Sequence, residues 1–224
     1  MTFSIIARDP ETGHFGVAVS TAVPCVGAMV PHVKPGVGAI ATQSFTNVRL
    51  GVDGLKLIEL GLTSEAALIS LLVQDEEASR RQVAGIDRDN TPFVYSGDGC
   101  VDWYGSREGE HYSVQGNMLV GEETISAMAE AFEGATGFLG DRLIRALEAG
   151  QTAGGDKRGR ESAALLVAPL RPDDPLSKVD IRVDQHEDPV AELRRIGDLL
   201  TERYREVLAE ARELQARKLE AEKS

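Results

Sequence analysis

The sequence is poor in basic residues and in cysteine, and both shortages exclude classes of protein. Its 24 lysines and arginines stand against 36 aspartates and glutamates, a formal net charge of −12. Such a chain repels phosphate groups, so we expect neither a nucleic-acid partner nor attraction to an anionic membrane. Cys25 and Cys100 form no C-x-x-C pair, and we expect two reduced thiols in a cytoplasmic protein. For Cys100, burial as a small apolar side chain is favoured over reactivity.

Long apolar runs and ligand motifs are missing as well. No stretch is long enough to span a bilayer. The first residues have no basic segment and break their apolar run at Arg8, which argues against a signal peptide. No H-E-x-x-H or comparable spacing appears, so we expect no metal and no cofactor. The glycine-rich loop 154–160 departs from the G-x-x-x-x-G-K-[ST] spacing of a phosphate loop. It is either a solvated turn or a site loop with paired charges.

What the sequence does contain is a hydrophobic fraction of 42% in 224 residues, enough for the packed core of one domain. Residue periodicity predicts strands over 2–8, 14–21, 26–33, 36–44, 83–86, 92–95, 100–104, 111–115, 162–170 and 178–183. It predicts helices over 55–62, 62–73, 122–132 and 140–150, with Thr63 or Ser64 as the N-cap of the second, and a turn over 106–109. The first two strands, joined by a turn over 9–13, are predicted to form a β-hairpin. Strands that alternate with helix pairs indicate an α+β fold with layered sheets and helices outside.

The composition changes at residue 188, which divides a domain over 1–187 from an extension over 188–224. Pro189 suits the first position of a helix. Leucine or valine then recurs every seven residues, at Leu193, Leu200, Val207 and Leu214. This pattern leaves two interpretations open: a long amphipathic helix that packs on its own domain, and a dimerising coiled coil.

Several phrases, taken in order, resemble a known family. They are Thr2-Phe-Ser-Ile, Arg8-Asp-Pro-Glu-Thr-Gly, Gly38-Ala-Ile-Ala-Thr-Gln, Cys100-Val-Asp-Trp, Gln115-Gly-Asn-Met-Leu, Gly154-Gly-Asp-Lys-Arg-Gly and Arg182-Val-Asp-Gln-His. Together they resemble the family called domain of unknown function 1028, over residues 1–200. That resemblance implies the N-terminal-nucleophile (Ntn) hydrolase superfamily, a four-layer αββα sandwich, a small or peptide-like amide substrate and a homo-oligomer.

The resemblance implies that Thr2 is the nucleophile. Removal of Met1 would expose its α-amine, whose ordinary pKa of about 8 suits a general base for the adjacent hydroxyl. The alternative is an ordinary residue of an edge strand. If Met1 stays in place, Thr2 has no free amine, and Ser4 is the next hydroxyl on the same strand face.

The rest of the implied site is matched unevenly. Proteasome-type relatives carry an acid where this chain has Ser20, and a lysine near the present His32 and Lys34. The implied catalytic set is Thr2, Gln43 and Asn117 for the oxyanion, and Asp156, Lys157 and Ser162 to tune the site; Ser20, His32 and Asp102 are the substrate-binding candidates. Two hypotheses follow: an Ntn-type amidohydrolase, and a non-catalytic relative that binds a small ligand or acts in assembly.

Overall fold

The computed structural model describes residues 2–89, 91–171 and 178–203, which form two antiparallel sheets and five helices. The strands are β1 Thr2–Arg8, β2 Phe15–Thr21, β3 Pro31–Lys34, β4 Gly38–Ser44, β5 Arg81–Asp87, β6 Phe93–Ser96, β7 Gly105–Glu108, β8 Tyr112–Asn117, β9 Ser162–Ala168 and β10 Val179–Val183. The helices are α1 Val48–Glu59, α2 Ser64–Leu72, α3 Glu123–Glu133, α4 Leu139–Thr152 and α5, described over 189–203.

One sheet has six strands in the order β10-β9-β2-β1-β8-β7, and the other has four in the order β3-β4-β5-β6. β1 and β2 form the hairpin predicted at the start of the chain. Thr2 lies opposite Thr21 on β2 and opposite Asn117 on β8. The alternative that Thr2 belongs to an edge strand is therefore wrong, because β1 has a hydrogen-bonded neighbour on each side.

The two helix pairs cover the outer faces of the two sheets, so the architecture is the predicted four-layer αββα sandwich. α1 and α2 pack on the four-stranded sheet, and α3 and α4 pack on the six-stranded one. The side chain of Thr63 accepts a hydrogen bond from the Ala66 N–H and caps α2, as predicted. Asn47 caps α1 in the same way through the Arg49 N–H.

Side chains alternate along β1 between two apolar clusters, as they do in any strand. Phe3 and Ile5 pack against α3 and α4 with Met128, whereas Ile6 packs between the sheets with Ala41. The alternation therefore assigns Thr2 and Ser4 to the space between the sheets. It gives the first residue of β1 a buried position at one end of the sandwich.

Three predictions of local structure are wrong. Residues 26–28 form a short 3-10 helix before β3, because Cys25 takes a left-handed φ of 63° and turns the chain. Residues 100–104 form no strand, and the Met118 N–H instead donates to the Val101 carbonyl at 2.9 Å. The predicted turn over 106–109 is largely the edge strand β7, whose alternating exposure marks a half-buried strand.

Over its described residues 189–203, helix α5 packs on its own domain. Leu193 is fully buried in the cluster beneath α4, and Leu200 packs beside it. Arg194 forms ion pairs with Asp141 and Glu148 of α4. Val207 and Leu214 lie outside the described residues, so the coiled coil stays a prediction.

Within the described ranges, no helix combines the length and apolar character needed to cross a bilayer.

Candidate functional site

Four hydroxyl or amide side chains lie in one row across the end of the six-stranded sheet. Thr21 pairs with Ser162 on one side and with Thr2 on the other, and Thr2 pairs with Asn117. By strand alternation, all four side chains face the second sheet. The whole row is buried, with Thr2 the most exposed at 6%.

The hydroxyl and the backbone nitrogen of Thr2 contact different neighbouring strands, β2 and β8 respectively. Its Oγ1 lies 3.2 Å from Thr21 Oγ1. On the β8 side, the Arg8 N–H donates to the His111 carbonyl, and hydrogen-bonded pairs recur at every second residue of an antiparallel ladder. This alternation places the Thr2 nitrogen at the Asn117 carbonyl. A free α-amine at Thr2 would thus stand beside its own hydroxyl with one acceptor in place.

Gln82, on β5 of the other sheet, fixes the orientation of Asn117. Its Nε2 donates to the Gly116 carbonyl at 2.9 Å, so its Oε1 must accept. That oxygen accepts from Gln43 Nε2 at 2.8 Å and from Asn117 Nδ2 at 3.0 Å. Asn117 Oδ1 consequently points away from Gln82, and it is buried with no hydrogen-bond partner within the described residues.

The side chains of Gln43 and Ser4 are hydrogen-bonded to each other and to neighbours in the contact between the two sheets. The Ser4 hydroxyl donates to Gln43 Oε1 at 2.7 Å and accepts from Gln115 Nε2 at 2.6 Å. The Gln43 amide nitrogen is shared between Gln82 and the Gln115 carbonyl. Gln43 can therefore donate to an oxyanion only through its backbone N–H. The Ser4 hydroxyl already donates one hydrogen bond and accepts another.

Asp156 anchors the chain directly beyond Thr21. Its side chain is 1% exposed, and its carboxylate accepts the Ala22 N–H at 3.0 Å and the Arg158 N–H at 2.8 Å. The Arg158 guanidinium also lies 3.3 Å from it. Asp156 therefore acts on the Thr2 region by fixing the end of β2.

Ser162 holds the next part of the same segment. Its hydroxyl donates to the Val23 carbonyl at 2.6 Å and accepts the Val26 N–H at 3.1 Å. Both contacts are to backbone, so Ser162 shapes the turn that follows β2. It lies in the Thr2 row but is separated from Thr2 by Thr21.

Lys157 and Asp102 meet at the same end of the sandwich. Lys157 Nζ donates to the Asp102 carbonyl at 2.7 Å, while the Asp102 side chain is exposed. The Leu119 N–H donates to the Trp103 carbonyl, and Leu119 forms an isolated bridge with Asp156. Three loop segments, around residues 102, 119 and 156, are thereby laid side by side just beyond Asn117.

Ser20 and His32 are not brought to Thr2. Ser20 pairs with Phe3 and Ala163, whose side chains face α3 and α4, so it lies on the opposite face of the sheet from Thr2. The His32 ring lies against Gly51 of α1, and burial lowers the pKa of His32. Lys34, the other substitute considered for the lysine, forms an ion pair with Glu59.

The sequence prediction missed two residues of the row and its support, Thr21 and Gln82. Thr21 was recognised as the end of a strand, and its position beside Thr2 could have been found from the register of the predicted hairpin. Gln82 directly precedes the apolar run 83–86 that was predicted as a strand. A polar side chain next to such a run was the available sequence signal for a buried polar contact. Three of the five hydrogen-bonding contacts of Gln82, to Gly105, Gly116 and Asn117, depend on the approach of the six-stranded sheet, which no local pattern reports.

The two thiols differ, and no metal cluster is formed by the described residues. Cys100 is buried, its Sγ donates to the Arg81 carbonyl at 3.3 Å, and burial raises its pKa; the prediction of a buried small side chain is confirmed. Cys25 is exposed. Over residues 2–89, 91–171 and 178–203, no three His, Cys, Asp or Glu side chains are grouped so that they could hold a metal ion.

Comparisons with known proteins identify a family model and similar solved structures. The model of DUF1028, a family of unknown function, matches residues 2–193. Protein SPO2555 from Silicibacter pomeroyi, a structure of that family, is 33% identical with a TM-score of 0.81 and 89% coverage of each chain. Anbu from Hyphomicrobium sp. strain MC1 is 10% identical with a TM-score of 0.43, covering 92% of this chain and 97% of that one. Anbu from Yersinia bercovieri is 11% identical with a TM-score of 0.42, covering 90% and 96%. No curated protein matches.

Proposed function

The chain belongs to the family of unknown function DUF1028, and from its own geometry we propose that it is an Ntn-type amidohydrolase. It would cleave the C–N bond of a small or peptide-like amide, with Thr2 as nucleophile once Met1 is removed. The observation that carries the proposal is the position of Thr2. Its hydroxyl faces the space between the sheets, 3.2 Å from Thr21 Oγ1, at the first residue of a buried central strand.

The chemistry needs a hydroxyl and an amine on the same residue. The neutral α-amine of mature Thr2 takes the proton of Oγ1, which attacks the amide carbon and forms a tetrahedral adduct. The C–N bond then breaks, and the ammonium returns the proton to the leaving amine. Water, activated by the same amine, hydrolyses the remaining ester and regenerates the Thr2 hydroxyl. The cycle consumes only substrate and water, and it regenerates Thr2.

Neighbouring residues have supporting roles in this proposal. The Thr21 hydroxyl orients Thr2 Oγ1, and the Asn117 carbonyl anchors the α-amine. Asn117 Oδ1, an unpartnered buried acceptor, would accept an N–H of the ammonium or of the substrate. Backbone N–H groups near Gln43 and the second Nδ2 hydrogen of Asn117 are the candidate donors to the oxyanion. Asp156 and Ser162 position the chain beyond β2, and Lys157 holds the adjoining loop.

The proposal is tested by the intact mass of the untagged protein and by covalent trapping. We expect loss of Met1 and acylation by a β-lactone at Thr2. The Thr2→Ala variant should not label, Thr2→Ser should label, and Thr12→Ala, which changes an exposed threonine in a turn, should label like the wild type. Equal labelling of wild type and Thr2→Ala, or a mature protein that keeps Met1, would remove Thr2 as the nucleophile.

A second function is favoured by the charges around Thr2. Within the described residues, no charged side chain hydrogen-bonds to the Thr2 hydroxyl; Asp156 binds two backbone N–H groups and the Arg158 guanidinium, and Lys157 donates to the Asp102 carbonyl. This arrangement suits a non-catalytic Ntn-fold protein that binds a small ligand or acts in assembly. A wild-type protein that does not label, yet shows the same rise in melting temperature with a small amide as Thr2→Ala does, would establish that alternative.

A further inference from the structure

Strand β10 forms one edge of the six-stranded sheet. It pairs with β9 on one side, and no strand among the described residues pairs with its other side. Its apolar residues, Val179, Ile181 and Val183, are buried in the cluster beneath α4 and α5. Its charged residues point to the opposite face and are exposed. Edge strands commonly carry charged side chains, a proline or a bulge, which oppose pairing with another chain.

The charges on β10 alternate in sign, so they can match the charges of a second copy as well as repel them. Positive and negative side chains follow each other along one exposed face, in the order Lys178, Asp180, Arg182 and Asp184. If two copies of this segment pair in antiparallel register about Ile181, Lys178 lies opposite Asp184 and Asp180 lies opposite Arg182. Because the arrangement is two-fold symmetric, each of these pairs occurs twice. Every charge on the face then meets a charge of opposite sign.

Neighbouring registers do not share this property. Pairing about Arg182 places Arg182 opposite Arg182 and Asp180 opposite Asp184. Pairing about Asp180 places Asp180 opposite Asp180 and Lys178 opposite Arg182. Both registers bring like charges together, and a shift by one residue places charged side chains opposite apolar ones. Registers centred on Val179 or Val183 also match opposite charges, but they overlap only one end of the strand. The register about Ile181 is therefore the one that both matches the charges and pairs Val179–Val183 along its full length.

We propose that β10 is the interface of a homodimer, in which two copies pair antiparallel about Ile181 and join their six-stranded sheets. The proposal is independent of any activity at Thr2. Main-chain hydrogen bonds along the two edges would supply affinity and favour the register with the longest overlap, and the charges would disfavour registers centred on Asp180 or Arg182. A closed two-fold contact of this kind leaves no further copy of the edge to extend the assembly.

Contacts within one copy are compatible with this pairing. Arg182 lies 2.9 Å from Asp184, and both side chains remain about half exposed, at 38% and 50%. The stem of Arg182 rests against Gly27, so its charged end stays near the edge. The Asp184 carbonyl accepts the Cys25 N–H, which limits main-chain pairing to Val179–Val183. Residues 178 and 184 would contribute through their side chains.

Charge reversal tests the proposal by sedimentation velocity, with the full chain over a range of concentrations. Asp180→Arg and Arg182→Asp each place like charges in two symmetric pairs, so each should raise the dimer dissociation constant roughly 30-fold. The double variant Asp180→Arg/Arg182→Asp restores opposite charges across the two-fold axis and should restore the dimer. Glu108→Arg, on the other edge of the same sheet, is the matched control and should leave it unchanged.

Three results would overturn the proposal. The wild type could remain monomeric up to about 100 µM. Single reversals could leave the dimer as strong as in the wild type, which would place the interface elsewhere. The double variant could fail to restore a dimer lost in both single variants, although far-ultraviolet circular dichroism shows that all three are folded. The charges lie on an exposed face, so we expect every variant to fold.

Discussion

At the scale of single residues, the Thr2 region depends on the partners of a few buried polar groups. The Thr2 hydroxyl shares a hydrogen-bond contact with Thr21, and Gln82 holds Asn117 in one orientation. A buried polar group costs free energy unless it has a partner, so each orientation is fixed by the donors and acceptors around it. The unpartnered Asn117 Oδ1 is the exception beside Thr2, and a ligand or water that donates a hydrogen bond would relieve it.

Thr21→Val removes the hydroxyl beside Thr2 and keeps the shape of the side chain. If Thr21 positions the nucleophile, labelling of Thr2 by a β-lactone should slow about 3- to 10-fold, the equivalent of one net hydrogen bond. Thr21→Ser keeps the hydroxyl and should label at nearly the wild-type rate. Equal rates for Thr21→Val and wild type, measured by mass spectrometry over time, would assign Thr21 a purely structural role.

At the scale of secondary-structure elements, Asp75 joins three of them through one carboxylate. It follows α2 and accepts from Arg81 Nε and Nη2 at 3.0 Å, at the start of β5. It also accepts from Asn47 Nδ2 at 2.7 Å, and Asn47 caps α1. The Arg81 hydrogen bonds lower the pKa of Asp75 to about 2. The pair is buried, so its contribution is not screened by solvent as a surface pair would be.

Asp75→Asn should lower the free energy of unfolding by about 2 kcal/mol at pH 7. The folded-state pKa lies below the unfolded value of about 3.9, so the ionised carboxylate stabilises the fold above that value. The stabilisation is lost as the pH falls from about 4 to about 2, and the two proteins should converge there. Urea unfolding at several pH values measures this, with Asp98→Asn, an exposed aspartate, as control. A difference that does not depend on pH would contradict it.

At the scale of the whole molecule, buried contacts connect the four layers and the C-terminal helix. Gln43 and Gln82 bind the two sheets together through groups on both. Leu193 inserts into the cluster beneath α4, and Arg194 binds two acids on that helix. Such long-range contacts make unfolding cooperative, so a destabilising substitution in α5 should lower the free energy of unfolding of the whole domain.

Leu193→Ala should therefore lower the free energy of unfolding by about 2–5 kcal/mol, because it leaves a cavity in a packed cluster. Leu199→Ala, six residues further along the same helix at a position 52% exposed, should change it by less than about 0.5 kcal/mol. Both are measured by urea unfolding, monitored by circular dichroism. Similar values for the two variants would mean that α5 is not held by Leu193.

The sequence by itself determined the type and order of most elements. Period-two runs such as 2–8 and 162–168, and helices with a cap such as Thr63, are local features that survive in any packing. Ordered phrases also identified the family and, through it, the αββα architecture. The failures lie where the sequence lacks a strong local period: 26–28, 100–104 and the edge strand β7.

Only the tertiary structure decided which residues stand together at Thr2. Strand register placed Thr21 and Asn117 on either side of it and assigned Ser20 to the opposite face, since a side chain's face depends on its position in the strand. The approach of the second sheet brought Gln82 to Asn117 and occupied Gln43 with Ser4. The hydrogen bond between Ser4 and Gln115 joins residues 111 positions apart in the chain. The local pattern specifies each strand, but only their packing selects which polar groups meet.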